Sequence, residues 1–467
     1  MDKLKNKKAK TNRKFVFITT TLSLGLFFGG TVFNICQGKF NNRLNAAEQK
    51  DGTVAPLVPG IKEGPATPLP VGFKEAMERS FQQGAEWPDK VVLNNISMKV
   101  EYNFNENLTN YAKNLLKQYR SDYTTIAVID NETGRVLAAV GYEGKANSFN
   151  KNLIMTSTHP SASLIKMVTT AELLQNSQVK KETMFDFRGR STTLFKYQLN
   201  ESKSNRWDKT QNFETAFAKS NNVIFGKAAI KNTTSQGIVK MAEGFGFNQP
   251  LMKEFGFLKS EIHQVKDDFS LAELASGYNV DTVISPIHAA AMASVVANDG
   301  VFRTPKLISK IVDPKTGENI WPEQSNDRRA ISLETSKEMH EMMGMTVDDG
   351  TARKSFRKMN NSYRDVLDIG GKTGSITGGT PYGKRDWFAA FAMPREKSKG
   401  KGISISVMNV NVKKWHVKSS MLAKNIIEYY YKNINPIALN TSSDSKRAPS
   451  ESRPAKRRRH HHRAKNV

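Results

Sequence analysis

The chain has 467 residues, of which 38% are hydrophobic, 9% aromatic and 24% charged; this is enough apolar material for a buried core, and it excludes wholesale disorder and a multi-span membrane protein. The formal net charge is +26, but residues 1–14 hold seven Lys/Arg against one Asp and residues 441–467 hold nine against two acids, so half the excess sits in two tails and says little about what the middle binds. The single cysteine, Cys36, excludes an internal disulfide and a cysteine-rich metal site.

In chain order, residues 15–36 form a stretch without a charge. At a rise of about 1.5 Å per residue these form about 33 Å of helix, matching a hydrocarbon core of about 30 Å. The basic flank before it belongs in the cytoplasm. We expect residues 1–14 to be a cytoplasmic basic tail, residues 15–38 a single uncleaved N-terminal transmembrane helix, and the rest to lie on the outer side of the cytoplasmic membrane. A cleaved signal has a shorter apolar part, about 7–15 residues, with small residues directly after it. Residues 39–97 read as a Pro/Gly-rich tether and a short N-terminal extension: Pro56, Pro59, Pro65, Pro68 and Pro70 interrupt any packed element.

Hydrophobic periodicity becomes legible from about residue 98. Leu108, Tyr111, Ala112, Leu115, Leu116 and Tyr119 share one face of a helix. Residues 125–130 and 135–140 read as strands around a turn at Asn131 and Gly134. Residues 160–300 are mainly helical in pattern. Three strands follow at 366–373, 387–393 and 403–410, then a helix over 418–432. Two early and three late strands bracketing a helical block predict an α/β domain of the α+β type over 98–435. Its sheet is antiparallel, has about five strands and is flanked by helices, and a helical subdomain completes it. Residues 436–467 read as a disordered basic tail.

The chemistry begins at Ser163-Leu164-Ile165-Lys166. Six Ser-x-x-Lys patterns occur in the chain, so the pattern alone has no weight. This copy opens an apolar helical face at Leu164, Met167, Val168, Ala171 and Leu174, which sets Lys166 one turn from the Ser163 hydroxyl. A serine needs an adjacent base to be a nucleophile, and a lysine is such a base only when burial or a nearby cation lowers its pKa. Lys-Thr-Gly occurs twice. The copy at Lys315 follows Asp313-Pro314 and reads as a turn. Lys372-Thr373-Gly374-Ser375 instead follows a strand-like approach containing Gly370 and Gly371, which suits close approach of an extended anionic substrate. Between the two lies Ser220-Asn221-Asn222, before the apolar run Val223-Ile224-Phe225.

Taken in order, Ser163-x-x-Lys166, Ser220-x-Asn222 and Lys372-Thr373-Gly374-Ser375 resemble the motif triplet of the penicillin-binding transpeptidases, the serine D,D-peptidases. The hairpin about Asp130 and Arg135, the stretch from Ile284 to Gly300, Gly350-Thr351-Ala352 and Arg385-Asp386-Trp387-Phe388 are similar to the same family, over roughly 98–432. The resemblance implies the penicillin-binding/β-lactamase-like fold and a role for each motif residue. Ser163 would be acylated, and Lys166 would take its proton. Ser220 and Asn222 would relay protons and hold the peptide, and Lys372 would supply positive potential. Thr373, Gly374 and Ser375 would line the substrate, with the backbone N–H groups of Ser163 and Ser375 as the oxyanion hole. Two positions depart from the family: Pro160 stands three places before Ser163 instead of two, and Ser375 stands where threonine is usual.

The implied activity is a membrane-anchored D,D-transpeptidase cross-linking peptidoglycan stem peptides. A D,D-carboxypeptidase using water, a class D β-lactamase and a non-enzymatic penicillin sensor or scaffold are the alternatives. Segment 39–97 has no room for a glycosyltransferase domain. β-Lactams as inhibitors, the cytoplasmic membrane and other cell-wall synthesis proteins are the expected partners. The run from Lys456 to Arg463 could attract nucleic acid by charge, but export makes anionic wall polymer or membrane the better partner. No cofactor or metal is expected, and His159, although near Ser163, reads as structural.

Overall fold

The computed structural model describes residues 71–437, apart from 201–205, 253–254, 256–257, 322–324 and 326. The expected anchor at 15–38, the tether up to residue 70 and the tail from 438 lie outside the described residues. Among the described residues no helix is long and apolar enough to cross a membrane.

Regular structure begins before residue 98, where periodicity first becomes legible. Helix α1 (Phe73–Gln82) buries Phe73, Met77 and Phe81, a spacing of four that keeps one face apolar. Strands β1 (Lys90–Leu93) and β2 (Ile96–Tyr102) form a hairpin turned at Asn94 and Asn95, both with positive φ. β2 also pairs with a strand more than 200 residues away, β6 (Ile308–Val312), so this N-terminal element is stitched into the folded body. Phe81, Trp87, Tyr102 and Phe104 pack ring against ring around the joint.

Helix α2 (Glu106–Tyr119) starts where the Asn105 side chain accepts the Leu108 N–H, and it ends at Arg120 in the left-handed region. Its buried residues, Leu108, Ala112, Leu115 and Leu116, lie on the face read from the spacing. The central sheet contains β3 (Tyr123–Asp130), β4 (Val136–Glu143), β5 (Ser148–Phe149), β7 (Leu367–Gly378), β8 (Gly383–Pro394) and β9 (Ile403–Asn411). Its order is β7-β8-β9-β3-β4-β5, antiparallel throughout. The sheet has six strands where about five were expected. The sixth is the two-residue β5, too short to leave a period-2 pattern.

Both faces of the sheet are covered, and β8 and β9 are therefore buried along nearly their whole length, including Ser404 and Ser406, which alternate with Ile403, Ile405 and Val407. Trp387, Ala389, Phe391 and Met408 face the helical region. Phe388, Ala390, Ile405 and Val407 face α2 and the C-terminal helix α9 (Ser419–Asn433). The helical region includes α3 (Lys166–Asn176), α4 (Asn222–Asn232), α5 (Asp268–Ser276), α6 (Pro286–Ala297) and α7 (Leu333–Asp348). α6 is buried along its whole length, capped by Ser285 and led by Pro286. β7 lies at the edge of the sheet, with α7 on one face and a short helix, α8 (Arg353–Phe356), toward the other.

Candidate active site

Ser163 lies in a single 3₁₀ turn, Ala162–Ile165, that runs directly into α3. The residue before it, Ala162, is held at φ 48°, a region that L-residues occupy only at a cost. The turn is fixed from two sides. The Trp387 indole donates to the Pro160 carbonyl at 3.0 Å. Gly277, at φ 69°, closes α5 directly over it: a Cβ on Gly277 would lie 1.9 Å from the Ala162 carbonyl oxygen. Only glycine fits there.

Lys166, one turn on, is fully buried, and its Nζ lies 2.7 Å from Ser163 Oγ. Nζ also donates to Asn222 Oδ1 at 2.6 Å and to the Ser276 carbonyl at 2.8 Å. Ser220 and Asn222 reach the cleft because of how α4 starts. Ser220 sits at φ 56°, and Asn221 turns back to cap the helix by accepting the Val223 and Ile224 N–H groups. Its neighbours on either side are thereby left facing the cavity. Asn222 is held in turn by the Thr192 carbonyl, to which its Nδ2 donates at 3.0 Å.

Lys372 comes from β7, also fully buried. Its Nζ donates to Ser220 Oγ at 2.9 Å and to the Thr373 carbonyl at 3.0 Å. Ser220 Oγ is 3.5 Å from Lys166 Nζ, so the hydroxyl stands between the two amines. Aromatic rings face both amines: Phe225 5.3 Å from Lys166 Nζ and Phe217 5.4 Å from Lys372 Nζ. Neither amine has a carboxylate partner among the described residues. Burial lowers the Lys372 pKa to about 7. Burial, and after it the Lys372 charge, holds Lys166 well below the ordinary lysine range. A lysine so placed gives up its proton far more readily than a free one, and its neutral amine can accept a hydroxyl proton, which is what a serine nucleophile needs.

Strand alternation separates the rest of the motif. Lys372 points toward the helical region. Thr373, Ser375 and Thr377 point to the opposite face, beside their β8 partners Phe388, Asp386 and Lys384. Thr373 Oγ1 is 2.6 Å from Thr351 Oγ1, and Ser375 is exposed in the cleft. At Gly374 an added Cβ would press on Ala162 Cβ and Trp387 Cβ at 3.3 Å, so the strand packs tightly against the Ser163 turn. The cleft, about 1260 Å³, is lined by Ser163, Ser220, Asn222, Thr373, Gly374 and Ser375 among others. The residues of the Ser163, Ser220 and Lys372 motifs thus converge on it or directly beneath it.

The second Lys-Thr-Gly, Lys315-Thr316-Gly317, is an exposed turn after β6. His159 is buried, bonded through Nε2 to the Leu153 carbonyl and through Nδ1 to Arg385, and its pKa is pushed down to about 3 by burial. Four contributors went unread in the sequence. The Ser276 carbonyl has no side-chain signature. Gly277 is one glycine among 31. Phe225 stood out only as part of an apolar run, and Phe217 belongs to no motif.

Residues 124–428 match the penicillin binding protein transpeptidase domain, and the chain belongs to that family. Among curated relatives, it is 23% identical over 243 residues to the stage V sporulation protein D of Bacillus subtilis (strain 168), covering 49% of this chain and 34% of the relative. It is 24% identical over 309 residues to the peptidoglycan D,D-transpeptidase PbpA of Mycolicibacterium smegmatis, covering 57% of this chain and 58% of the relative. The matched part thus spans well under two thirds of either relative. Among solved structures, the imipenem acyl-enzyme complex of penicillin-binding protein A from Mycobacterium tuberculosis superposes with a TM-score of 0.53 at 19% identity, covering 71% of this chain and 80% of that one. The fold is therefore shared with that protein.

Proposed function

We propose that the chain is a D,D-transpeptidase that cross-links peptidoglycan stem peptides through an acyl-enzyme on Ser163. The observation that carries this reading is the convergence of the buried Lys166 amine on Ser163 Oγ, Asn222 Oδ1 and the Ser276 carbonyl at the floor of the cleft. There Lys166 is the base: it takes the Ser163 proton as Oγ attacks the carbonyl of the penultimate D-alanine. The oxyanion develops against the backbone N–H groups of Ser163 and Ser375; losing one such donor costs about 10²–10³ in rate. Ser220, bridging the two amines, returns a proton to the departing D-alanine nitrogen. Thr373 and Ser375 take the terminal carboxylate, and Lys372 supplies positive potential beneath it. An acceptor amine then attacks the Ser163 ester and restores the free enzyme.

A β-lactam would stop this cycle at the ester, as the imipenem acyl-enzyme of the structural relative suggests by analogy. The uncharged stretch 15–36 supports anchoring in the cytoplasmic membrane with the catalytic domain outside. Deleting residues 15–36 is expected to move the protein from the membrane to the soluble fraction.

Fluorescent-penicillin labelling followed by intact mass tests the assignment. Ser163→Ala should abolish the label, and Lys166→Ala should slow it by about 10²–10⁴, the usual contribution of a general base. A Ser163→Ala protein that still labels would sink the proposal. With a D-Ala-D-Ala pentapeptide and an acceptor amine, product mass distinguishes amide formation from hydrolysis; hydrolysis alone would make the chain a carboxypeptidase.

A further inference from the structure

β7 is an edge strand, and an extended peptide adding to it would direct alternate side chains to its two faces. The two walls of the cleft differ in charge. On the side of Ser163, the wall made by α5 and the turn after it contributes Glu273 and Asp281. On the other side lie Lys354 and Lys358, which bracket Phe356 at α8, together with Lys384 at the end of β7's partner and Lys418 before α9. The position of this second wall follows from two contacts. Lys384 pairs with Thr377, on the same face as Thr373 and Ser375. The Phe356 ring packs 5.6 Å from Phe388, the partner of Thr373.

Of these lysines only Lys418 has an ion-pair partner among the described residues, Asp386. Asp386 is the one acid among the residues lining this wall. It is buried and already engaged, accepting the Ser419 N–H at 2.7 Å and lying 3.6 Å from Lys418. Lys354, Lys358 and Lys384 are exposed, with no carboxylate within 4 Å among the described residues. Lys384 and Lys418 are moreover drawn together by one ring, Trp415, at 5.4 and 3.7 Å. Like charges gathered on one wall of a cleft raise the local concentration of an anion.

We infer that the cleft takes a peptide bearing a second carboxylate, beyond the one at Thr373 and Ser375, and that Lys354, Lys358 and Lys384 bind it. This deepens the proposed function and rests on it: the substrate class is an acidic stem peptide with a free side carboxylate, not its amidated form.

The test uses the full chain in detergent and two probes: γ-D-glutamyl-L-lysyl-D-alanyl-D-alanine with its α-carboxylate free, and the same peptide amidated there. The readout is the concentration of each that halves the rate of fluorescent-penicillin labelling at Ser163. The free acid is expected to protect at roughly tenfold lower concentration, from a few exposed pairs acting together. That ratio should fall toward one in about 0.5 M salt and in the variant K354Q/K358Q/K384Q. Because it is read from labelled protein alone, the ratio does not depend on the fraction folded; should the variant not label at all, the salt series decides. Equal protection by the two peptides, a preference that survives both salt and substitution, or no protection by either overturns the inference while labelling still supports the site. Absence of penicillin labelling in the unsubstituted chain overturns the proposed function and this inference with it.

Discussion

At the residue scale, the site is two buried amines sharing one hydroxyl. The second-order rate constant for acylation reports the free enzyme's titrations. Lys166 must be neutral to accept a proton, so acylation should fall on the acid side as Lys166 protonates. Lys372 works as a cation, with a pKa lowered by burial to about 7, so acylation should fall again as pH rises past that value. A pH–rate profile of penicillin acylation should therefore show an alkaline limb centred near 7. Lys372→Ala should lower the rate and remove that limb; a limb unchanged in the variant would rule out Lys372 as its origin. The three motifs were legible because their chemistry resides in side chains at fixed spacings. The Ser276 carbonyl was not legible, since any residue type offers a carbonyl and only the end of α5 decides where it points.

At the element scale, the turn before α3 and the end of α5 are one joint. Gly277→Ala forces a Cβ onto the Ala162 carbonyl, and it does so at a backbone angle that alanine disfavours. Melting temperature and labelling rate should both drop, the rate by at least roughly tenfold, because a displacement of about 1 Å at the nucleophile costs about 10²-fold. Normal labelling in a destabilised Gly277→Ala protein would show that the joint serves stability alone. A second seam joins α7 to β7, where His340 Nε2 lies 2.6 Å from Asp368 Oδ2 and lowers the Asp368 pKa. A depressed carboxyl pKa contributes stability above the unfolded value, about 3.9, and loses it as pH falls through the folded one. Thermal melts of wild type and Asp368→Asn should accordingly differ at pH 6 and converge below about pH 4. Period-2 and period-3.6 patterns marked β3, β4, β7, β8, β9, α2 and α9 in the sequence, with ends shifted by a few residues. β5 is too brief for a pattern, and α1 was obscured by the prolines and glycines just before it.

At the scale of the whole molecule, residues 73–97 are more than a spacer. Phe81 is buried among Trp87, Tyr102 and Phe255, and β2 is paired with β6. Phe81→Ala should cost about 3–5 kcal/mol by the usual penalty for emptying an aromatic site, measured as a shift in the denaturant midpoint; a shift equivalent to less than 1 kcal/mol would mean that the N-terminal element docks loosely. The contacts that assemble the cleft also span the chain: Lys166 meets Asn222 56 positions away and Ser276 110 away, and Lys372 meets Ser220 152 away. The loop entropy of such distant closures is lost before their contacts compensate for it, and we predict that they form late in folding. A penicillin added during refolding is therefore a clock: the adduct can appear only on molecules whose last long loop has shut, and the lag before it appears times the birth of the native state.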